Sequence, residues 1–556
     1  MARLDYAAPG VYIEEIDRGS RPIEGVSTAI AGFVGFTEDI RGEAELYKPM
    51  LVTNWTQFLQ YFARPNSDGF TDFNAYLPFA VYGFFMNGGG RCWITSIGTQ
   101  LSNAPTPADP EPANLVIRGR GNRPSLRFSI RPEQIAAGSI AVFVNDSGPR
   151  ALPEGTEGEA PPDTGEYFKV EVRRGSETLE EYDNLTMNPD TNTQFATYAV
   201  AALQNSMFVT IEDVSRRGQP LARRPGNGQY EIAIPLVPTS PDSFSSEFEG
   251  IRDDRTGVRG LFEIDEITMV ACPDLMRAYE AELMNLDQVH GIMELMISMC
   301  EGSNSGDIPN PPNRMVVLDS PPDSQKPQQV VEWLNNGFGR RSMFAALYYP
   351  WIKVANPRDR GNPISVPPCG HMMGVWGRTD ETRGVYKAPA NEVPRGVLGL
   401  DYEVNFREQE LLNPLGINCI RKFPNRGIRI WGARTLVEPD KTEWRYISVR
   451  RLISYIEKSL ELGTQWVVFE PNDEDLWGRV RRTVNNFLER IWRAGALYGS
   501  SPKQAFYVKC DAELNPPETM ILGRLYIEVG VCPVRPAEFV VFRISQWNGI
   551  EGEEES

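Results

Sequence analysis

Apolar positions along the first hundred residues switch between two spacings. Ala29-Ile-Ala-Gly-Phe-Val-Gly-Phe36 is apolar without interruption and reads as a strand covered on both faces, whereas 54–62 and 74–85 carry helical periodicity. Gly88-Gly-Gly90 then turns the chain into a strand over Arg91–Ile97. This pattern stops near residue 99 and resumes after 258. There the sequence predicts a strand over Glu266–Cys272, a helix over 275–300, a strand over Arg314–Leu318, a helix over 326–337 and a strand over Ala345–Tyr349. Alternating helices and strands predict an α/β layer with helices on both faces of the sheet. Residues 26–98 and 259–395 are therefore assigned to one α/β core. The stretch 355–395, rich in proline and glycine, is expected to be a long connection.

Residues 99–258 have a different texture, rich in proline, glycine and acids. Strand-like pieces fall at 125–130, 140–145, 167–173 and 230–237, with one helical piece at 193–205. This segment is expected to be an inserted, mainly β domain. From 396 to 535 a second, α+β unit is expected, with strands at 416–423, 427–433, 503–510 and 521–532 and a helix over 448–462. In Leu525-Tyr-Ile-Glu-Val-Gly-Val531 strict alternation sends Leu525, Ile527, Val529 and Val531 to one face.

Both ends of the chain read as strands set apart from the body. Val11-Tyr-Ile-Glu-Glu-Ile16 is followed by Gly19, Pro22 and Gly25, and Phe539-Val-Val-Phe-Arg-Ile-Ser-Gln-Trp547 follows Pro533 and Pro536. A strand with so little beside it needs a partner. Residues 1–25 and 536–556 are therefore expected to be arms, the second ending in the acidic tail Glu551–Ser556.

The helix expected over 472–495 carries the most specific pattern. Leu476, Val480, Val484, Phe487, Leu488 and Ile491 form a buried stripe, with Asn472 or Asp473 as cap. Arg479, Arg482, Asn486, Arg490 and Arg493 follow one another at i+3 or i+4 on another face. The chain as a whole has 56 basic against 74 acidic residues, a net charge of -18. An arginine stripe in so acidic a protein suits an acidic partner; a solvated helix face is the plain alternative. The same acidic balance argues against general nucleic-acid binding.

Seven cysteines lie far apart with no Cys-x-x-Cys pair, as expected of buried thiols in a reducing compartment. The start has no apolar signal core and no stretch is long enough to span a membrane, so a soluble protein made in the cytoplasm is expected. Chemistry is sparse. His290 and His371 are the only histidines and lie in no ligand spacing, and no Gly-x-x-x-x-Gly-Lys-Ser/Thr loop occurs. Gly88–Gly90 precedes a strand, which suits a turn and not a phosphate loop. Asp473-Glu-Asp475 suits helix capping, and Trp333, Trp351, Trp376, Trp431, Trp477 and Trp492 suit packing or subunit contact. No catalytic, cofactor-binding or metal-binding residue is assigned.

Several ordered motifs resemble the contractile tail sheath family of phages, pyocins and extracellular contractile injection particles. They are Pro9-Gly-Val-Tyr-Ile-Glu-Glu15, Val26-Ser-Thr-Ala-Ile-Ala-Gly-Phe-Val-Gly-Phe36 and Phe84-Phe-Met-Asn-Gly-Gly-Gly-Arg-Cys-Trp-Ile94 in the first part of the chain. In the second they are Leu411-Leu-Asn-Pro-Leu-Gly-Ile-Asn418, Arg426-Gly-Ile-Arg-Ile-Trp-Gly-Ala-Arg434, Arg445-Tyr-Ile-Ser-Val-Arg-Arg-Leu452 and Phe469-Glu-Pro-Asn472. The resemblance implies a structural subunit, not an enzyme, that stacks as hexameric rings around an inner tube and contracts. It implies that Val11, Tyr12, Ile13 and Ile16 at one end, and Phe539, Val540, Val541, Phe542 and Ile544 at the other, add strands to sheets of neighbouring subunits. It further implies that the C-terminal domain lies inside, with Arg479, Arg482, Arg490 and Arg493 facing an acidic tube, and that the insertion projects outward. The implied partners are other copies of the chain, the tube, a baseplate and a terminal cap, assembled in the bacterial cytoplasm. A polymerising scaffold unrelated to injection and an α/β hydrolase-like enzyme are the competing expectations.

Overall fold

The computed structural model describes residues 22–71, 74–98, 114–119, 123–131, 134, 140–150, 162–175, 177–191, 195–215, 218–232, 241–302 and 313–543. Val11, Tyr12, Ile13, Ile16, Ile544 and the acidic tail lie outside the described residues. The chain forms two compact units. One runs from Ser27 to Arg451 and includes the described residues from Pro536 onward; the other comprises the described residues Pro22–Val26 with Leu452–Arg535.

The larger unit is built on an eight-stranded sheet. Its spatial order is Gly427–Ile430, Ile417–Phe423, Ala345–Tyr349, Met315–Asp319, Met269–Ala271, Ile30–Gly35, Arg91–Ser96 and Pro49–Val52. The six inner strands are parallel, and the two edge strands pair antiparallel. Every residue of Ile30–Gly35, Met315–Asp319 and Ala345–Tyr349 is buried, as expected of strands covered on both faces. The edge strand Pro49–Val52 has no clear pattern of its own and was not predicted.

Three expectations about this unit are corrected. The helix expected over 275–300 is two helices, Asp274–Glu280 and Leu286–Glu301. Asn285 caps the second with a reciprocal Gln288 pair, at 2.8 and 2.9 Å. The stretch 355–395 is no plain connection, because it contains strand Pro363–Val366 and the buried helix Cys369–Arg383. A Cβ on Gly370 would lie 2.3 Å from the Ala80 carbonyl oxygen, and one on Gly374 2.5 Å from that of Phe84. Glycine here serves close packing against helix Tyr76–Met86, not a turn. Lastly, 417–423 and 427–430 extend the large sheet, with Leu347 opposite Ile417, so the domain expected to start at 396 does not.

The described residues of 114–232 form two sheets, antiparallel except where Thr197–Tyr198 pairs parallel with the end of Glu177–Thr186. One is ordered Val209–Asp213, Pro124–Ile130, Asn114–Arg118; the other Gly228–Ile232, Ile140–Asp146, Phe168–Arg174, Glu177–Thr186, Thr197–Tyr198. They enclose a separate core that includes Ile117, Phe128, Val142, Val170 and Ile232. The helical piece expected at 193–205 is only Ala199–Ala202 among the described residues. The boundary expected at 258 is too late. Phe244 and Phe248 on helix Pro241–Glu249, and Val258, belong to the main core, with Phe244 stacked on Phe36 at 5.7 Å.

In the smaller unit the chain follows helix Ile447–Gly463 from Leu452 on, then helix Glu474–Arg493 and a two-stranded antiparallel sheet of Phe506–Lys509 and Glu528–Val531. These strands are shorter than the expected 503–510 and 521–532, because Pro502–Ala505 and Pro517–Ile521 turn helically.

Candidate assembly surfaces

Helix Glu474–Arg493 follows its sequence pattern closely. The Asp473 carboxylate caps it, accepting from the Leu476 N–H at 2.8 Å, and Leu476, Val480, Val484, Phe487, Leu488 and Ile491 are buried. Arg479, Arg482, Arg490 and Arg493 are all exposed. Arg479, Arg490 and Arg493 make contacts within the smaller unit. Arg479 pairs with Glu470 at 2.9 Å and lies over the Trp466 ring, 5.4 Å from its centroid. Arg493 pairs with Glu489 at 2.5 Å, and Arg490 donates to the Ile23 carbonyl. Pro22, Ile23, Thr483, Asn486, Arg490 and Arg493 line a hollow of about 290 Å³. Pro22 and Ile23 thus lie against the C-terminal half of the stripe.

At the other end of the chain one carboxylate collects four donors. Glu538 accepts from Asn413 Nδ2 at 2.8 Å, Arg434 Nε at 2.9 Å, Arg434 Nη2 at 2.6 Å and Tyr446 Oη at 3.0 Å. Burial works to raise the Glu538 pKa, but Arg434, Asn413 and Tyr446 together hold it below the ordinary glutamate value. Directly after this clasp Phe539, Val540, Val541 and Phe542 are 70–83% exposed. Phe539–Arg543 has no regular structure within the single chain. Sequence reasoning found the apolar run but missed the clasp, whose partners lie up to 125 residues away.

The sheet of Phe506–Lys509 and Glu528–Val531 has no third strand among the described residues. Tyr507 covers Gly530 so closely that a Cβ there would sit 2.1 Å from the ring, and its hydroxyl donates to Glu528 at 2.6 Å. Two strands alone are marginal, so this sheet is suited to gaining others.

Most of the groups that could suggest chemistry have structural partners, although the buried His371 Nδ1 has no hydrogen-bond partner. His290 accepts from Trp333 Nε1 at 2.8 Å; His371 is enclosed against Gly83, and burial lowers its pKa to about 4. Asp274 accepts from the N–H groups of Phe36, Tyr76 and Leu77, and Asp319 from that of Cys369 at 3.0 Å; burial raises both to about 7. Asp274 and Asp319 thereby satisfy the first N–H groups of helices Tyr76–Met86 and Cys369–Arg383. Trp351, Trp376, Trp477 and Trp492 each donate from the indole N–H within the chain. Gly88, with φ of 105°, makes the turn expected at 88–90. Six cysteines are buried and Cys532 is partly buried, all as free thiols. Among the described residues no group of His, Cys, Asp and Glu is arranged to hold a metal, and no helix is long and apolar enough to cross a membrane.

Residues 313–436 match the family model described as the phage tail sheath protein central domain, and 440–546 match the phage tail sheath C-terminal domain. The tail sheath protein of Burkholderia phage BcepMu is 28% identical over 215 residues, covering 37% of this chain and 43% of that protein. That of Salmonella phage ViI is 27% identical over 173 residues, covering 30% of this chain and 26% of its own. The match therefore spans less than half the length of these relatives. Among solved structures, the helical sheath of the anti-feeding prophage in its contracted state aligns over 97% of this chain and 99% of its own, with TM-score 0.55 and 22% identity. The sheath complex of the PVC extracellular contractile injection system, also contracted, aligns over 98% and 99%, with TM-score 0.53 and 19% identity. At that identity the likeness is one of fold.

Proposed function

We infer that this chain, a member of the phage tail sheath family through its central and C-terminal domains, is the sheath subunit of a contractile tail or injection particle. The family is one of structural proteins, and the same role is read for this chain. In this reading copies stack as hexameric rings around an inner tube, the arms add strands to sheets of neighbouring copies, and contraction drives the tube through a target envelope. Assembly in the bacterial cytoplasm, with a baseplate and a terminal cap, completes the proposal.

One observation carries it. The run Phe539–Phe542 is strand-forming, exposed and unpaired, yet it leaves the body at a clasp of four hydrogen-bond donors on Glu538. A fixed root with a free apolar strand is what β-augmentation needs, and the sheet of Phe506–Lys509 and Glu528–Val531 offers edges to receive it. Each added strand would make about four main-chain bonds of ~0.5–1.5 kcal/mol net, so one link is weak and a lattice of links is strong. Truncation after Glu538 should give a soluble chain that melts cooperatively and forms no sheath by electron microscopy. Normal tubular assemblies from that truncation would refute the role of the arm.

A further inference from the structure

Between helix Ile447–Gly463 and helix Glu474–Arg493 the chain makes a short turn with Phe469 at its tip. The Phe469 side chain is fully exposed, at 102% relative accessibility, and its φ is 69°. Left-handed backbone is uncommon for a bulky residue and costs on the order of 1 kcal/mol or more. Neighbouring Val468 and Leu462 are exposed as well.

The turn itself is firmly braced. The Val468 N–H donates to Gln465 at 3.2 Å and that of Glu470 to Val467 at 3.1 Å. Asn472 donates to the Arg524 carbonyl at 3.0 Å and accepts from Trp477 Nε1 at 2.8 Å. Glu470 is tied to Arg479, the first arginine of the stripe, which stacks on Trp466. An aromatic ring presented to water from a braced, strained backbone does nothing for the monomer. Its shape is that of an interface anchor, which loses little conformational entropy on docking.

We propose that Phe469 is the apolar anchor of the arginine face, entering a pocket rimmed by carboxylates on the same acidic partner. The bracing by Glu470 and Arg479 makes ring and stripe parts of one surface: the arginines steer the partner and the ring holds it. This rests on the reading that the stripe faces the inner tube.

The test uses the full chain, tubes isolated from the same particle, and microscopy of sheath-decorated tubes over a series of salt concentrations. Phe469→Ala should raise the sheath concentration for half-maximal decoration at least ~10-fold, as loss of an anchor does. It should leave the salt dependence, the monomer melt and tube-free assembly unchanged, and Phe469→Trp should restore decoration. A charge reversal at Arg479, Arg482, Arg490 and Arg493 should instead remove decoration and its salt dependence. Wild-type decoration by Phe469→Ala, with the reversal defective, overturns the anchor alone. Wild-type decoration by both overturns the tube-facing reading too. Loss of tube-free assembly in Phe469→Ala would assign the ring to a contact between sheath copies and overturn the proposal.

Discussion

Glu538 shows how a single residue can set the behaviour of a whole segment. Its carboxylate is the last firmly held group before the exposed run Phe539–Phe542, and Arg434 beside it is largely buried. Removing the charge with Glu538→Gln leaves Arg434 short of its counter-ion and should ease local opening by about 2–3 kcal/mol. The Arg434 Nε–H, which donates to Glu538, should lose protection from solvent exchange accordingly, while the global melt would move far less. The pH effect has a defined sign. The folded pKa lies below the ordinary glutamate value of 4.5, so the clasp stabilises fully above that value and is lost as pH falls through the lowered folded value. The protection factor of that Nε–H, taken relative to its intrinsic exchange at each pH, should therefore fall below about pH 4.5 in the wild type and stay flat in the Gln variant. A fall of equal size in both would mean that another group controls the root of the exposed run. None of this was legible in the sequence, because Asn413, Arg434 and Tyr446 become neighbours of Glu538 only through the fold.

At the scale of elements, legibility depended on whether packing followed the period of the helix or the strand. Helix Glu474–Arg493 was readable to its cap because its apolar residues recur at three and four and its acids and arginines sit at opposite ends. Helix Cys369–Arg383 was not, because its glycines suggested loop while their real use is close approach to helix Tyr76–Met86. The two uses of glycine predict opposite signs on substitution. In Gly374→Ala the helix gains about 1 kcal/mol of propensity, but the new methyl meets main-chain oxygen at 2.5 Å, and overpacking of about 1–3 kcal/mol should win. Gly291, on helix Leu286–Glu301, has nothing within 4 Å of its Cβ position, so Gly291→Ala should stabilise by up to about 1 kcal/mol. Urea unfolding of the two variants should give shifts of opposite sign; a stabilised Gly374→Ala would mean that the helix pair is looser than described.

At the scale of the whole molecule, the inserted β segment tests how the two cores of the larger unit share the work. The composition shift near 99 was readable, but the return to the core was placed at 258 because helix Pro241–Glu249, with its serines and acids, looks like surface from the sequence alone. Its two phenylalanines are buried in the main core, Phe244 stacked on Phe36 and Phe248 edge-on to it at 6.0 Å. The insertion's own core closes without them. Two deletions should therefore behave differently although they differ only in where they end. Replacing 114–232 with a short Gly/Ser linker removes one complete core and the Arg41–Glu231 ion pair at 3.3 Å, a partly exposed contact of small weight. The remaining chain should stay soluble and melt cooperatively, and sheath assembly should persist if the insertion projects outward. Extending the deletion to 258 also strips Phe244 and Phe248 from Phe36, at about 3–5 kcal/mol for each lost aromatic side chain. That is a large fraction of the ~5–15 kcal/mol by which domains are stable, so the longer deletion should yield no cooperative calorimetric transition. Equal melting of the two would show that the helix belongs with the insertion, and collapse of the shorter one would show that the main core depends on the β segment.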